Sequence, residues 1–104
     1  MKAHYIIALS ILAAPPVFAV DNGETLFKQN NCNACHATDR QMVGPSLKDI
    51  VAKYADDKEA RVKLEHKVRH GGSGTFGSMP MPATSRSVSD EQIKAMITWI
   101  LEQK

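Results

Sequence analysis

Residues 32–36 read Cys32-Asn33-Ala34-Cys35-His36, a Cys-x-x-Cys-His run whose spacing suits one kind of chemistry. Two thiols three positions apart can each add to one vinyl group of a porphyrin as a thioether. The next residue then supplies an imidazole to the iron. Two other readings of paired cysteines fail on the rest of the chain. A structural zinc site needs two further Cys or His ligands at regular spacing, and the sequence contains no third cysteine. A thioredoxin-like redox pair needs a βαβ setting, and no β-alternation is visible. The run is therefore read as a c-type haem attachment site: Cys32 and Cys35 as covalent anchors, His36 as an axial iron ligand.

Upstream, Met1-Lys2-Ala3-His4 precedes an apolar run from Tyr5 to Ala14, then Pro15-Pro16 and Val17-Phe18-Ala19. This is the layout of an export signal: a positive start, an apolar segment and a small-residue cleavage site. The prolines interrupt the run before the roughly 20 apolar residues that span a bilayer, so a retained anchor is disfavoured. The expectation is a signal peptide over residues 1–19, cleavage after Ala19, a single domain over 20–104 and a periplasmic location. That domain has 85 residues with 12 basic and 11 acidic side chains. Such a balance implies no nucleic-acid partner and no stable membrane insertion. So short a chain sits near the size at which an apolar core needs outside help.

Downstream, the apolar spacing predicts four short helices. Asp21 with Glu24 reads as the start of the first, which carries Leu26 and Phe27 and ends near Asn30. After Gly44-Pro45-Ser46, the residues Leu47, Ile50, Val51 and Tyr54 form the stripe of a second. Asp56–Glu59 cap a third, in which Ala60, Leu64 and Val68 share a face, Val62 lies off it and His70-Gly71-Gly72 ends it. In the last, Ser89 and Gln92 form a capping box, Val88 staples onto Ile93, and Ile93, Met96, Ile97, Ile100 and Leu101 follow at helical spacing. Between the last two, residues 71–87 are rich in Gly, Ser, Pro, Thr and Met without a period. A loop that long in so small a domain implies an object that it wraps. The class is all-α.

The second axial ligand decides whether the iron carries electrons or binds a small molecule. Met96 belongs to an apolar stripe, and Met42 lies too close to the attachment site to reach the other face. His66 and His70, at i and i+4, have the spacing of a surface metal pair but read first as a solvated helix face. Met79 and Met81 lie in Ser78-Met79-Pro80-Met81-Pro82, where the prolines pre-set the backbone and reduce the entropy lost in presenting a ligand.

Taken together, Phe27, the Cys32–His36 run, Met42-Val43-Gly44-Pro45, Leu47-Lys48-Asp49-Ile50, Gly74-Thr75-Phe76-Gly77, Pro80-Met81-Pro82 and Trp99-Ile100-Leu101 resemble the class I cytochromes c. The resemblance is to the small bacterial type that donates electrons to nitrite reductase or a terminal oxidase. It implies one covalent haem c per chain held by two thioethers, the first and last helices crossing, Met81 as the second iron ligand with Met79 at the haem margin, and the Pro45 carbonyl orienting His36. It also implies three departures: Phe76 where a tryptophan often donates to a haem propionate, Lys67 where an arginine often binds that propionate, and Thr84 where an asparagine contacts the methionine sulfur. The function so implied is single-electron transport, not enzymatic turnover, by a monomer in weak, transient complexes with redox protein donors and acceptors. The rival reading is a haem enzyme or gas sensor with a vacant sixth position. Ala34, Met42 and Val43 fall outside every helical stripe and, with Met79, are candidates for a docking ring around the haem edge, with Lys28, Lys48 and Lys53 as a steering field.

Overall fold

The computed structural model describes residues 2–12 and 22–104. The expected cleavage point after Ala19, Pro15-Pro16 and the Asp21 cap lie outside the described residues. Residues 2–12 are exposed and form no regular element, so the core is built without them.

Four helices follow: α1 (Gly23–Gln29), α2 (Leu47–Lys53), α3 (Ala60–His70) and α4 (Asp90–Leu101), with a 3-10 turn over Cys32–Ala34 between the first two. Among the described residues there is no strand, and no helix is long and apolar enough to cross a membrane. Three of the helices start on a side-chain cap. Asn22 accepts from the Thr25 N–H, Ser46 from the Asp49 N–H and Ser89 from the Gln92 N–H. Each oxygen satisfies one of the backbone donors that a helix start leaves unpaired. At Ser89 the expected capping box is complete, with Gln92 reaching back to the cap N–H at 2.8 Å.

The start of α3 differs from expectation. Its cap residue is Glu59, without a side-chain bond. Asp57 stands outside the helix, accepting from the Glu59 N–H at 2.9 Å and from Lys63 Nζ at 2.6 Å. The Lys63 bond holds the Asp57 carboxyl below its ordinary pKa, and the same contact raises that of Lys63.

α1 packs on α4. Gly23 makes the approach possible, because a Cβ there would run into the Ala95 carbonyl and lie 2.5 Å from Trp99 Cβ. Further along, the rings of Phe27 and Trp99 sit 5.1 Å apart at 51°, a tilted pair of the kind aromatic quadrupoles favour. Leu26, Leu47, Ile93, Met96 and Ile97 are fully buried, and the expected staple residue Val88 joins them in the core. α3 is tied to the start of α4 by Arg69, whose guanidinium donates to Ser85 O (3.2 Å), Val88 O (2.7 Å) and Asp90 Oδ1 (2.8 Å).

Candidate haem site

The expected apolar stripes converge on a cavity of about 300 Å³. Phe27 reaches it from α1, Leu47 and Ile50 from α2, Leu64 and Val68 from α3, and Met96, Ile97 and Ile100 from α4. Cys32, Cys35, His36 and Met81 line the same cavity, so the residues singled out as anchors and ligands are brought together.

The attachment run is held by its own turn. Asn31 enters it at φ 60°, a left-handed conformation that Asn tolerates better than most residues. The Cys32 carbonyl then accepts from Cys35 N at 3.2 Å and His36 N at 3.0 Å. Burial pushes the Cys32 thiol above its ordinary pKa, with Cys35 adding to the shift and a hydrogen bond opposing it.

His36 Nδ1 lies 2.8 Å from the Pro45 carbonyl oxygen. That oxygen only accepts, so Nδ1 carries the proton and the neutral ring keeps its lone pair on Nε2. Gly44 lies flat against the imidazole: a Cβ there would be 2.5 Å from Cε1 and 2.9 Å from Nδ1. The 42–45 segment is held by Gly44 N–H to Cys35 O at 2.8 Å, and α2 hangs from the motif through Leu47 N–H to Ala37 O at 2.9 Å.

Met81 is positioned by Gly72, two residues past the end of α3. Its N–H donates to Gly72 O and its carbonyl accepts from Gly72 N, both at 2.9 Å. Pro80 and Pro82 have no N–H, so Met81 is the one backbone donor of that tripeptide, and it is used. Gly71 makes room at φ 67°, where a Cβ would strike the Met81 carbonyl. Thr84 Oγ1 donates to Val68 O at 2.6 Å, so its hydroxyl proton is committed to the end of α3 and not to a sulfur.

Lys67 and Phe76 also line the cavity, and Lys53 Nζ sits 5.4 Å over the Phe76 ring. Of the candidate docking residues all four are exposed, Met42 by 38%, Val43 by 54% and Met79 by 65%. Val43 and Met79 border the cavity, whereas Ala34 and Met42 do not. Among the candidate steering lysines, Lys28 is paired with Glu24 at 3.2 Å. The sequence reading missed Gln41, which lines the cavity beside its bridge to His36, and the cavity-facing side of Tyr54. Tyr54 had a signal, its place in the α2 stripe. Gln41 had none.

This donor set fits a covalently held porphyrin: two thiols on one short turn, an oriented imidazole with a free lone pair, a soft thioether and an apolar chamber with an ammonium beside it. The comparisons agree. Residues 20–104 match the Cytochrome c family. The chain is 39% identical over 100 residues to cytochrome c-551 of Pseudomonas aeruginosa, covering 92% of this chain and 94% of that one. It is 49% identical over 79 residues to cytochrome c-552 of Nitrosomonas europaea, covering 76% of each. The crystal structure of wild-type Nitrosomonas europaea cytochrome c552 superimposes with a TM-score of 0.72 at 48% identity, covering 78% of this chain and 99% of that one. The chain therefore belongs to the cytochrome c family, as a small class I monohaem cytochrome c that carries electrons on a covalently bound haem c.

Proposed function

We propose that this chain is an exported, periplasmic carrier of single electrons in a respiratory chain, with Cys32 and Cys35 as thioether anchors and His36 and Met81 as the two iron ligands. The observation that carries the reading is the convergence of His36 and Met81, each held by a backbone partner, on one apolar cavity. When bound, haem c supplies a one-electron iron couple. His36 offers the Nε2 lone pair, and the Pro45 carbonyl fixes its tautomer and makes the ring more basic. Met81 offers a soft, neutral donor that favours the ferrous state and raises the potential. With His36 and Met81 both bound to the iron, no ligand position would remain for a substrate. The apolar lining keeps water from the iron, and Lys67 places a point charge where a propionate can use it. Residues 1–19 act as the export signal, and the mature chain starts at Val20.

Partners then need only approach an exposed edge of the cofactor. Ala34, Met42, Val43 and Met79, all exposed, supply apolar contacts for a weak, transient redox encounter.

The test is the absorption spectrum of the oxidised protein recovered from the periplasm, together with its intact mass. A thioether-to-iron band, one added haem and an N-terminus at Val20 are expected. Spontaneous binding of carbon monoxide by the unmodified ferrous protein, with no such band, would overturn the closed-iron reading.

A further inference from the structure

α3 has two working sides. Leu64, Lys67 and Val68 face the haem cavity. Val62, Glu65, His66, Arg69 and His70 line a separate cleft, bordered on α4 by Asp90, Ile93 and Lys94. In that cleft the helix stacks His66 and His70 one turn apart, with ring centroids 4.4 Å apart and planes tilted by 41°. Both residues are exposed, and neither lines the haem cavity.

We propose that His66 and His70 form a second metal site, a two-imidazole chelate for a borderline divalent transition ion, with Cu(II) bound most tightly. Two ring nitrogens that share one ion at about 2.0–2.1 Å each must lie roughly 3 Å apart. Rings already 4.4 Å apart reach that separation by side-chain rotation alone, without moving the helix. Two histidines at i and i+4 are also how a helical His-Glu-x-x-His run presents ligands to zinc. Imidazole suits copper, zinc and nickel, and at a given nitrogen site copper ranks highest. No third His, Cys, Asp or Glu completes a cluster among the described residues, so water fills the remaining positions.

The charges facing the pair permit this. Glu65 and Asp90 are balanced by Arg69 and Lys94, and Arg69 is locked by Asp90, Val88 and Ser85. Its cation is thus compensated and held in place. An ion bridging His66 and His70 clamps the last turn of α3, the turn that leads through Gly71 to the Gly72–Met81 pair. It stabilises the folded chain by an amount that rises with the logarithm of the free ion concentration once that exceeds Kd.

The test is titration of the oxidised holoprotein recovered from the periplasm with Cu(II), supplied as its glycine complex and followed by electron paramagnetic resonance. One equivalent is expected to bind in a tetragonal site with hyperfine coupling to two nitrogens, with Zn(II) competing more weakly. His66→Gln and His70→Gln should each lose this signal while the haem spectrum stays unchanged. Survival of the signal in either α3 variant, or tighter binding of Zn(II) than Cu(II), would overturn the assignment.

Discussion

Met81 and Gly72 exchange two backbone hydrogen bonds of 2.9 Å, so the sulfur proposed to bind iron is placed by Gly72, two residues past the end of α3, and not by the 73–80 loop that precedes it. Met79 has no such anchor and is 65% exposed. Met81→Ala should open the iron to imidazole and carbon monoxide, abolish the thioether band and lower the potential. Met79→Ala should leave all three as they were. The opposite pattern in the spectra would move the ligand to Met79.

Gly71 has φ 67° and ψ −154°, a conformation essentially reserved for glycine. Gly71→Ala adds strain of about 1–3 kcal/mol and sets a methyl group against the Met81 carbonyl. The expected result is a lower denaturation midpoint together with a weakened thioether band. A fall in stability with an undiminished band would mean that the loop shifts without loosening Met81.

Gly44 bears on the other ligand. An added Cβ would be 2.5 Å from His36 Cε1, so Gly44→Ala tilts the ring away from the Pro45 carbonyl. Losing that bond makes the imidazole a poorer donor, which destabilises ferric iron. Voltammetry should show a higher potential for the variant. A potential equal to that of the parent would mean the bond survives.

The Phe27–Trp99 contact is the test of the α1–α4 packing. Phe27 is only 4% exposed, and Phe27→Ala should cost about 3–5 kcal/mol in denaturant unfolding, as deletion of a buried aromatic does. Trp99 fluorescence should report the same transition.

Asp57 and Lys63 set a modest acid and alkaline limit. The Lys63 bond depresses the Asp57 pKa below 3.8, so the folded chain holds this proton less tightly than the unfolded one. The stability gained is present above pH 3.8 and is lost as pH falls through the depressed value. Lys63 is raised above 10.5, so its contribution persists below that pH and is lost above it. Asp57→Asn should flatten both limbs of the pH-stability curve while leaving the haem spectrum unchanged. Identical limbs in variant and parent would show the pair to be inert.

Features that depend on near neighbours are legible in the sequence itself. Ser89 and Gln92 announce α4, and the five-residue attachment run states its own chemistry. The Asn22 cap was missed by one residue because Asp21 offers the same side-chain chemistry, and nothing local tells the two apart. Glu59 was read within an acidic cluster whose one effective carboxylate, Asp57, is selected by Lys63 across a turn. Gly23 and Gly44 matter for what lies against them, Ala95 and Trp99 in one case and the His36 ring in the other. Only the tertiary fold reveals that. The hydroxyl of Thr84 likewise finds its acceptor, Val68 O, sixteen residues back.

The packing of α1 on α4 joins the two ends of the folded domain, and this has a kinetic side. Contacts so distant in sequence are expensive to form early, because the intervening chain must first be closed into a loop. Phe27 cannot make its ring contact with Trp99 until α4 is present, so in a chain emerging N-terminus first the α1–α4 packing waits for that helix.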